Sequence, residues 1–130
     1  MDGETDLSAI LPSMDPELRF GTYVFVSVPH GDPRPDVEVL ASVHEPEGWS
    51  LVVRRDDADA AGLAYDFVAA WITLRVFSSL AAVGLTAAVS RALADEGLSC
   101  NVIAGYHHDH LLVPFDDAER AMAVLVELAH

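Results

Sequence analysis

From residue 70 to the end of the chain, the spacing of apolar positions changes period several times, and each change marks an element. In AWITLRVF, Ile72, Leu74 and Val76 alternate with Trp71, Thr73, Arg75 and Phe77. That two-residue period predicts a central strand over 70–77 with one wholly apolar face. Leu85, Val89, Ala92 and Leu93 then recur at helical spacing until Gly97, which predicts a helix over 80–96 with Ser78 or Ser79 as its cap. Two further strands follow over 99–105 and 109–114. The closing DDAERAMAVLVELAH reads as a helix over 116–129, with Asp116 and Glu119 at capping-box spacing and Ala118, Ala121, Met122, Leu125 and Leu128 as its buried stripe.

The first half is less regular. LSAILPSM predicts a short helix ending near Pro12, and DPELRFG supplies turn residues that lead into TYVFVSV, a strand over 22–28. PHGDPRPD holds three prolines and a glycine in eight positions and reads as an exposed loop. Beyond it, VEVLASVHE and WSLVVRR predict a hairpin of strands over 37–44 and 49–54, reversed at Pro46 and Gly48. DDADAAG reads as a short acidic helix or turn.

From residue 70 the order is strand, helix, strand, strand, helix: a ferredoxin-like βαββαβ unit that lacks its last strand. The first half has the same order with its first helix lost. The expected fold is therefore α+β, two intertwined halves over 1–64 and 65–130 with antiparallel sheets and helices on one face. An N-terminal strand, 22–28, would complete the second sheet.

Composition narrows the function. In 130 residues, 52% hydrophobic content suffices for a packed core. Twenty-one acidic residues face seven basic ones, all arginine, for a net charge of −14. Such a surface repels phosphate backbones and anionic lipid, so neither nucleic acid nor membrane is an expected partner. Apolar runs are too short to span a bilayer and the start, MDGETD, is acidic where a signal peptide is basic, which points to the cytoplasm. One cysteine, Cys100, makes neither an internal disulfide nor a multi-cysteine zinc framework.

The densest group of reactive side chains is SCNVIAGYHHDHLLVP, residues 99–114. On an extended strand His108 and His110 share a face and Asp109 takes the other. Two histidines fall short of the three or four ligands zinc wants. Cys100 with His107 or His108 is the one candidate nucleophile–base pair, but Cys100, Val102 and Ala104 alternate as a buried strand face would. These histidines therefore read as turn and sheet-surface residues, with no catalytic group, metal or cofactor expected. Trp49 and Trp71 read as core, or alternatively as a ligand wall.

The stretch SSLAAVGLTAAVSRALADEGLSCNVIAG resembles the signature of ACT domains, in which a strand leads through a glycine turn into a helix. With YVF, AWITLRV and CNVIAGYHHDHLLVP, the match extends over most of 20–128 and resembles small bacterial proteins with two ACT-like halves and no known function. The resemblance implies a non-catalytic regulatory module that binds an amino acid or related metabolite. It places the ligand at the strand-to-helix turn, Ser78, Ser79, Val83, Gly84 and Leu85, with Gly84 letting the backbone approach and Asn101 and Val102 opening the next strand. A helix start suits a carboxylate, because its amides are unpaired and lie at the positive end of the dipole. A structural role, in which the sheet drives self-association without a ligand, is the alternative. A homodimer is expected in either case, since open sheet edges invite pairing.

Overall fold

The structure, a computed structural model, describes residues 7–76 and 84–130. The chain folds as two compact units, one drawn from residues 1–20 and 70–130, the other from residues 21–69.

In the first unit the elements are helix α1 (Leu7–Ile10), the opening of strand β1 (Pro16–Pro29), β4 (Val68–Leu74), helix α3 (Leu85–Asp95), β5 (Asn101–Ala104), β6 (Asp109–Pro114) and helix α4 (Ala118–Leu128). The strands lie in the order β1, β4, β6, β5, with β5 antiparallel to β6 and Asn101 opposite Leu112. This is the ferredoxin-like βαββαβ order, with β1 in the place of the missing last strand. Ala70, Ile72 and Leu74 from β4 and Leu111 and Val113 from β6 meet Leu85, Val89 and Leu93 of α3 and Ala121 and Leu125 of α4 in one core. The α4 stripe appears where its spacing predicts it, except that Met122 and Leu128 are only partly buried.

Several predicted boundaries move. The N-terminal strand begins at Pro16, not residue 22, so PELRFG is strand where turn residues were expected. Proline is tolerated as a first strand residue, and Gly21, at φ 111°, carries the strand through a conformation that side chains resist. The part of β1 in the first unit is thus 16–20, and the residues just ahead of it are tied down by backbone bonds from Arg75 to Asp15 and Val76 to Met14. The Arg75 guanidinium reinforces this on Asp15 at 2.9 Å and Glu17 at 2.8 Å. β4 itself spans Val68–Leu74 where 70–77 was expected. Of the helix expected over 80–96, residues 80–83 lie outside the described residues, and α3 opens at Leu85 next to Gly84, whose φ of 106° and ψ of −22° are outside the helical region.

The second unit holds the rest of β1, then β2 (Ala41–Glu45), β3 (Gly48–Arg54) and helix α2 (Arg55–Ala60). β3 pairs antiparallel on one side with β1, from Tyr23–Arg54 to Pro29–Gly48, and on the other with β2. Val24, Val26, Val28, Leu51 and Val53 bury against Ala58 of α2. Residues 37–40, expected as strand, are not in the ladder. Val37 and Val39 pack on this core, which accounts for their alternation, while the Leu40 amide donates to the Val52 carbonyl at 2.9 Å and the Glu38 carboxylate pairs with Arg54 of β3. The loop over 30–40 stands where a complete βαββαβ unit has its first helix. No helix among the described residues is long and apolar enough to cross a membrane.

Candidate ligand-binding site

The helix start that the sequence singles out is built from a glycine and two leucines. Gly84 precedes α3 with no side chain to cap it, and its carbonyl accepts the first helical bond, from the Ala88 amide at 2.8 Å. The amides of Leu85, Thr86 and Ala87 fall within the first turn, where helical geometry supplies no acceptor. A Cβ added at Gly84 would press within 3.2 Å of Leu7 Cδ2, so bare backbone sits beneath that side chain. The Leu85 side chain is buried in the core.

Val102 packs against the same core as Leu85. Asn101, its neighbour along β5, therefore lies on the opposite sheet face. There it is exposed and its Nδ2 donates to the Leu112 carbonyl at 3.4 Å. The structure thus brings Leu85 and Val102 together and sends the Asn101 side chain the other way. Ser78, Ser79 and Val83 lie outside the described residues.

The histidine-rich stretch resolves into a turn and a strand. Tyr106 and His107 are exposed in the turn, and His110 is half-buried on β6. Among the described residues, no group of three His, Cys, Asp or Glu side chains is placed to hold a metal ion. Cys100 packs against the core and burial pushes its thiol up, away from the nucleophilic thiolate. Ala104, expected to share that buried face, is exposed.

Sequence reasoning missed the polar group that His110 joins. Trp71 Nε1 donates to Thr73 Oγ1 at 3.0 Å and to His110 Nδ1 at 3.3 Å, and Thr73 Oγ1 lies 3.0 Å from the same nitrogen. The Arg19 guanidinium sits 5.0 Å from the centre of the Trp71 ring. Burial, with the charges of His108 and Arg19, holds the His110 imidazole below its ordinary range; Asp109 opposes this. Burial pushes the Asp109 carboxyl up against the pull of His110 and His108. In the other unit, Trp49 stacks on His44 at 4.6 Å with Arg34 5.4 Å from its ring centre. It also packs on that unit's core, so each tryptophan joins a packed layer while keeping a polar neighbour.

A family profile described as an ACT domain matches residues 2–70, and a second, also an ACT domain, matches residues 67–127. The chain belongs to the ACT-domain family. Its ACT architecture is shared by a crystal structure from Vibrio cholerae, titled a protein of unknown function and possible transport protein. That protein is 44% identical, with 95% of this chain and 96% of that one covered and a TM-score of 0.85. An Agrobacterium tumefaciens protein has the same fold at 19% identity, TM-score 0.71, covering 88% of each chain. So does the regulatory subunit of aspartate kinase from Thermus flavus, at 12% identity and TM-score 0.65, covering 88% of this chain and 97% of that one. No curated protein matches.

Proposed function

We propose that this ACT-domain chain is a regulatory module that acts by binding an amino acid or related small metabolite, without catalysis. The observation that carries the reading is Gly84: in a chain of two ACT domains, it opens α3 in a left-handed conformation with first-turn amides beside it. That arrangement suits a carboxylate, through amide donors and the helix dipole together. Support comes from the fold shared with the Thermus flavus regulatory subunit. In this reading Gly84 and Leu85 form the described part of the site, and Ser78, Ser79 and Val83 complete its turn in sequence. Val102 backs it from the core. Asn101, on the opposite sheet face with its amide on the Leu112 carbonyl, stands outside this site. A net charge of −14 favours a ligand near neutrality over a dianion.

Thermal denaturation against a metabolite set tests for a ligand, because specific binding stabilises by about 2.7 kcal/mol at a hundredfold excess over Kd. Calorimetry then places it. Gly84→Ala is expected to weaken the ligand found by about tenfold, the equivalent of ~1.4 kcal/mol, while Asn101→Ala, on the opposite sheet face, is the control. Parent-like affinity in Gly84→Ala removes the site.

Self-association belongs to the same reading. β5 ends the strand order in the first unit and β2 in the second, and β2 exposes Val43 at 55% of its surface. Strand edges of this kind template pairing, which a two-fold dimer would cover. Light scattering at tens of micromolar should give a dimer mass; a monomer mass refutes this.

A further inference from the structure

Trp71 and Thr73 alternate along β4 with Ala70, Ile72 and Leu74, which fill the core, and His110 alternates along β6 with Leu111. All three therefore meet on the sheet face away from that core. The indole nitrogen is a donor only. Its hydrogen is directed at Thr73 Oγ1 and His110 Nδ1, so the threonine hydroxyl, accepting from the indole, sends its own hydrogen to Nδ1. Nδ1 thus accepts from two donors, which fixes the neutral ring with its proton on Nε2. We propose that this relay is a protonation latch: it ties β6 to β4 while His110 is neutral and is released when the ring takes a proton.

Protonation must place a hydrogen on Nδ1, where two donors already point. Thr73 can answer only by reversing, accepting from both ring and indole and leaving its own hydrogen without the acceptor it had. The charged ring would also face Arg19 from β1 and His108 from the turn before β6, with Asp109 alone in opposition; β4 and β5 carry no titratable side chain. A buried Nδ1 of His108, which has no hydrogen-bond partner among the described residues, gives the charge no relief. The sign follows from linkage. A histidine whose folded value lies below its unfolded value contributes stability that is present above about pH 6.5 and lost as pH falls through the folded value. Asp109 works in the other sense, since a raised carboxyl favours the fold at low pH and loses that contribution as pH rises through its folded value. Its window lies above the ordinary carboxylate value of about 3.9, so the His110 step is cleanest toward neutral pH.

Nitrogen-15 NMR of the full chain between about pH 8 and about pH 4, a range that brackets the ordinary imidazole value, tests the latch. At the upper end the His110 ring should show its proton on Nε2. Its titration midpoint should fall below about 6.5, and the Trp71 indole resonance, assigned with Trp49→Phe, should move with the same midpoint. In His110→Gln that indole movement and the matching step in stability should vanish. A proton on Nδ1 at neutral pH, a midpoint at or above the ordinary value, or an indole resonance that stays put overturns the proposal, and so does the same step persisting in His110→Gln. The parent-protein spectra decide alone if the variant does not fold.

Discussion

Gly48→Ala is expected to lower stability by about 2–6 kcal/mol, combining backbone strain of ~1–3 kcal/mol with overpacking of a similar size. Gly48 opens β3 at φ 152°, and a Cβ there would stand 2.2 Å from the Val28 carbonyl oxygen and 2.8 Å from Pro29 Cα. Both are backbone atoms of β1, in the ladder where Pro29 faces Gly48, so neither can swing aside as a side-chain tip would. Relief requires β1 and β3 to part where β2 also pairs, since Glu45 faces Gly48 from the other side. Gly62→Ala is the control. Gly62 has φ 67° with nothing within 4 Å of an added Cβ, so only the conformational cost of about 1–2 kcal/mol applies. Urea unfolding of both variants measures the difference, and equal losses would mean that the close approach at Gly48 contributes nothing.

Pro46 and Gly48 were legible as a reversal because turn chemistry is local, but the crowding around Gly48 depends on β1, nineteen residues back at Pro29. The same division runs through the rest of the fold. β4, β6 and α4 could be read from spacing because each buries one face in a single core, and burial is what hydropathy reports. The opening of β1 could not. In its first five residues, PELRF, Leu18 and Phe20 alternate with Glu17 and Arg19 but stay exposed, so burial does not mark them, and the segment is anchored by backbone bonds of the preceding Met14 and Asp15 to residues 76 and 75 and by the Arg75 ion pairs to Asp15 and Glu17. Val37 and Val39 mislead in the other direction: they alternate because they pack, yet the ladder does not include them.

The candidate site divides in the same way. Gly84 stood out through family resemblance, and its positive φ has a chemical signature, since only glycine enters that region without strain. The helix period runs upstream of it unbroken in sequence, so nothing in hydropathy marks Leu85 as the first helical residue. The opposite facing of Asn101 and Val102 was implicit in strand alternation once β5 was drawn, but which of them meets the core needed the packed structure. The Trp71, Thr73 and His110 relay was illegible. Its members come from two strands separated by a helix and a further strand, and a hydrogen bond at 3.0 Å depends on register that no local pattern encodes.

Leu125→Ala on α4 is expected to cost about 3 kcal/mol, within the ~2–5 kcal/mol found when a fully buried leucine is truncated. Leu125 has no exposed surface and lies in the core built from β4, β6, α3 and α4. Truncation removes apolar contact and leaves a cavity whose walls come from separate elements. A helix that moved inward to fill it would have to shift Ala121, which is also fully buried, so the void should largely persist. Val126, the next residue, is 46% exposed, and Val126→Ala should change stability by no more than about 0.5 kcal/mol. Because both substitutions replace a good or moderate helix position with alanine, helix propensity cannot account for a loss at residue 125 alone. Denaturant unfolding of the pair therefore isolates packing from helix formation. A Leu125→Ala loss below about 1 kcal/mol, less than the transfer cost of the lost methyl groups, would mean that α4 is not seated on this core as described.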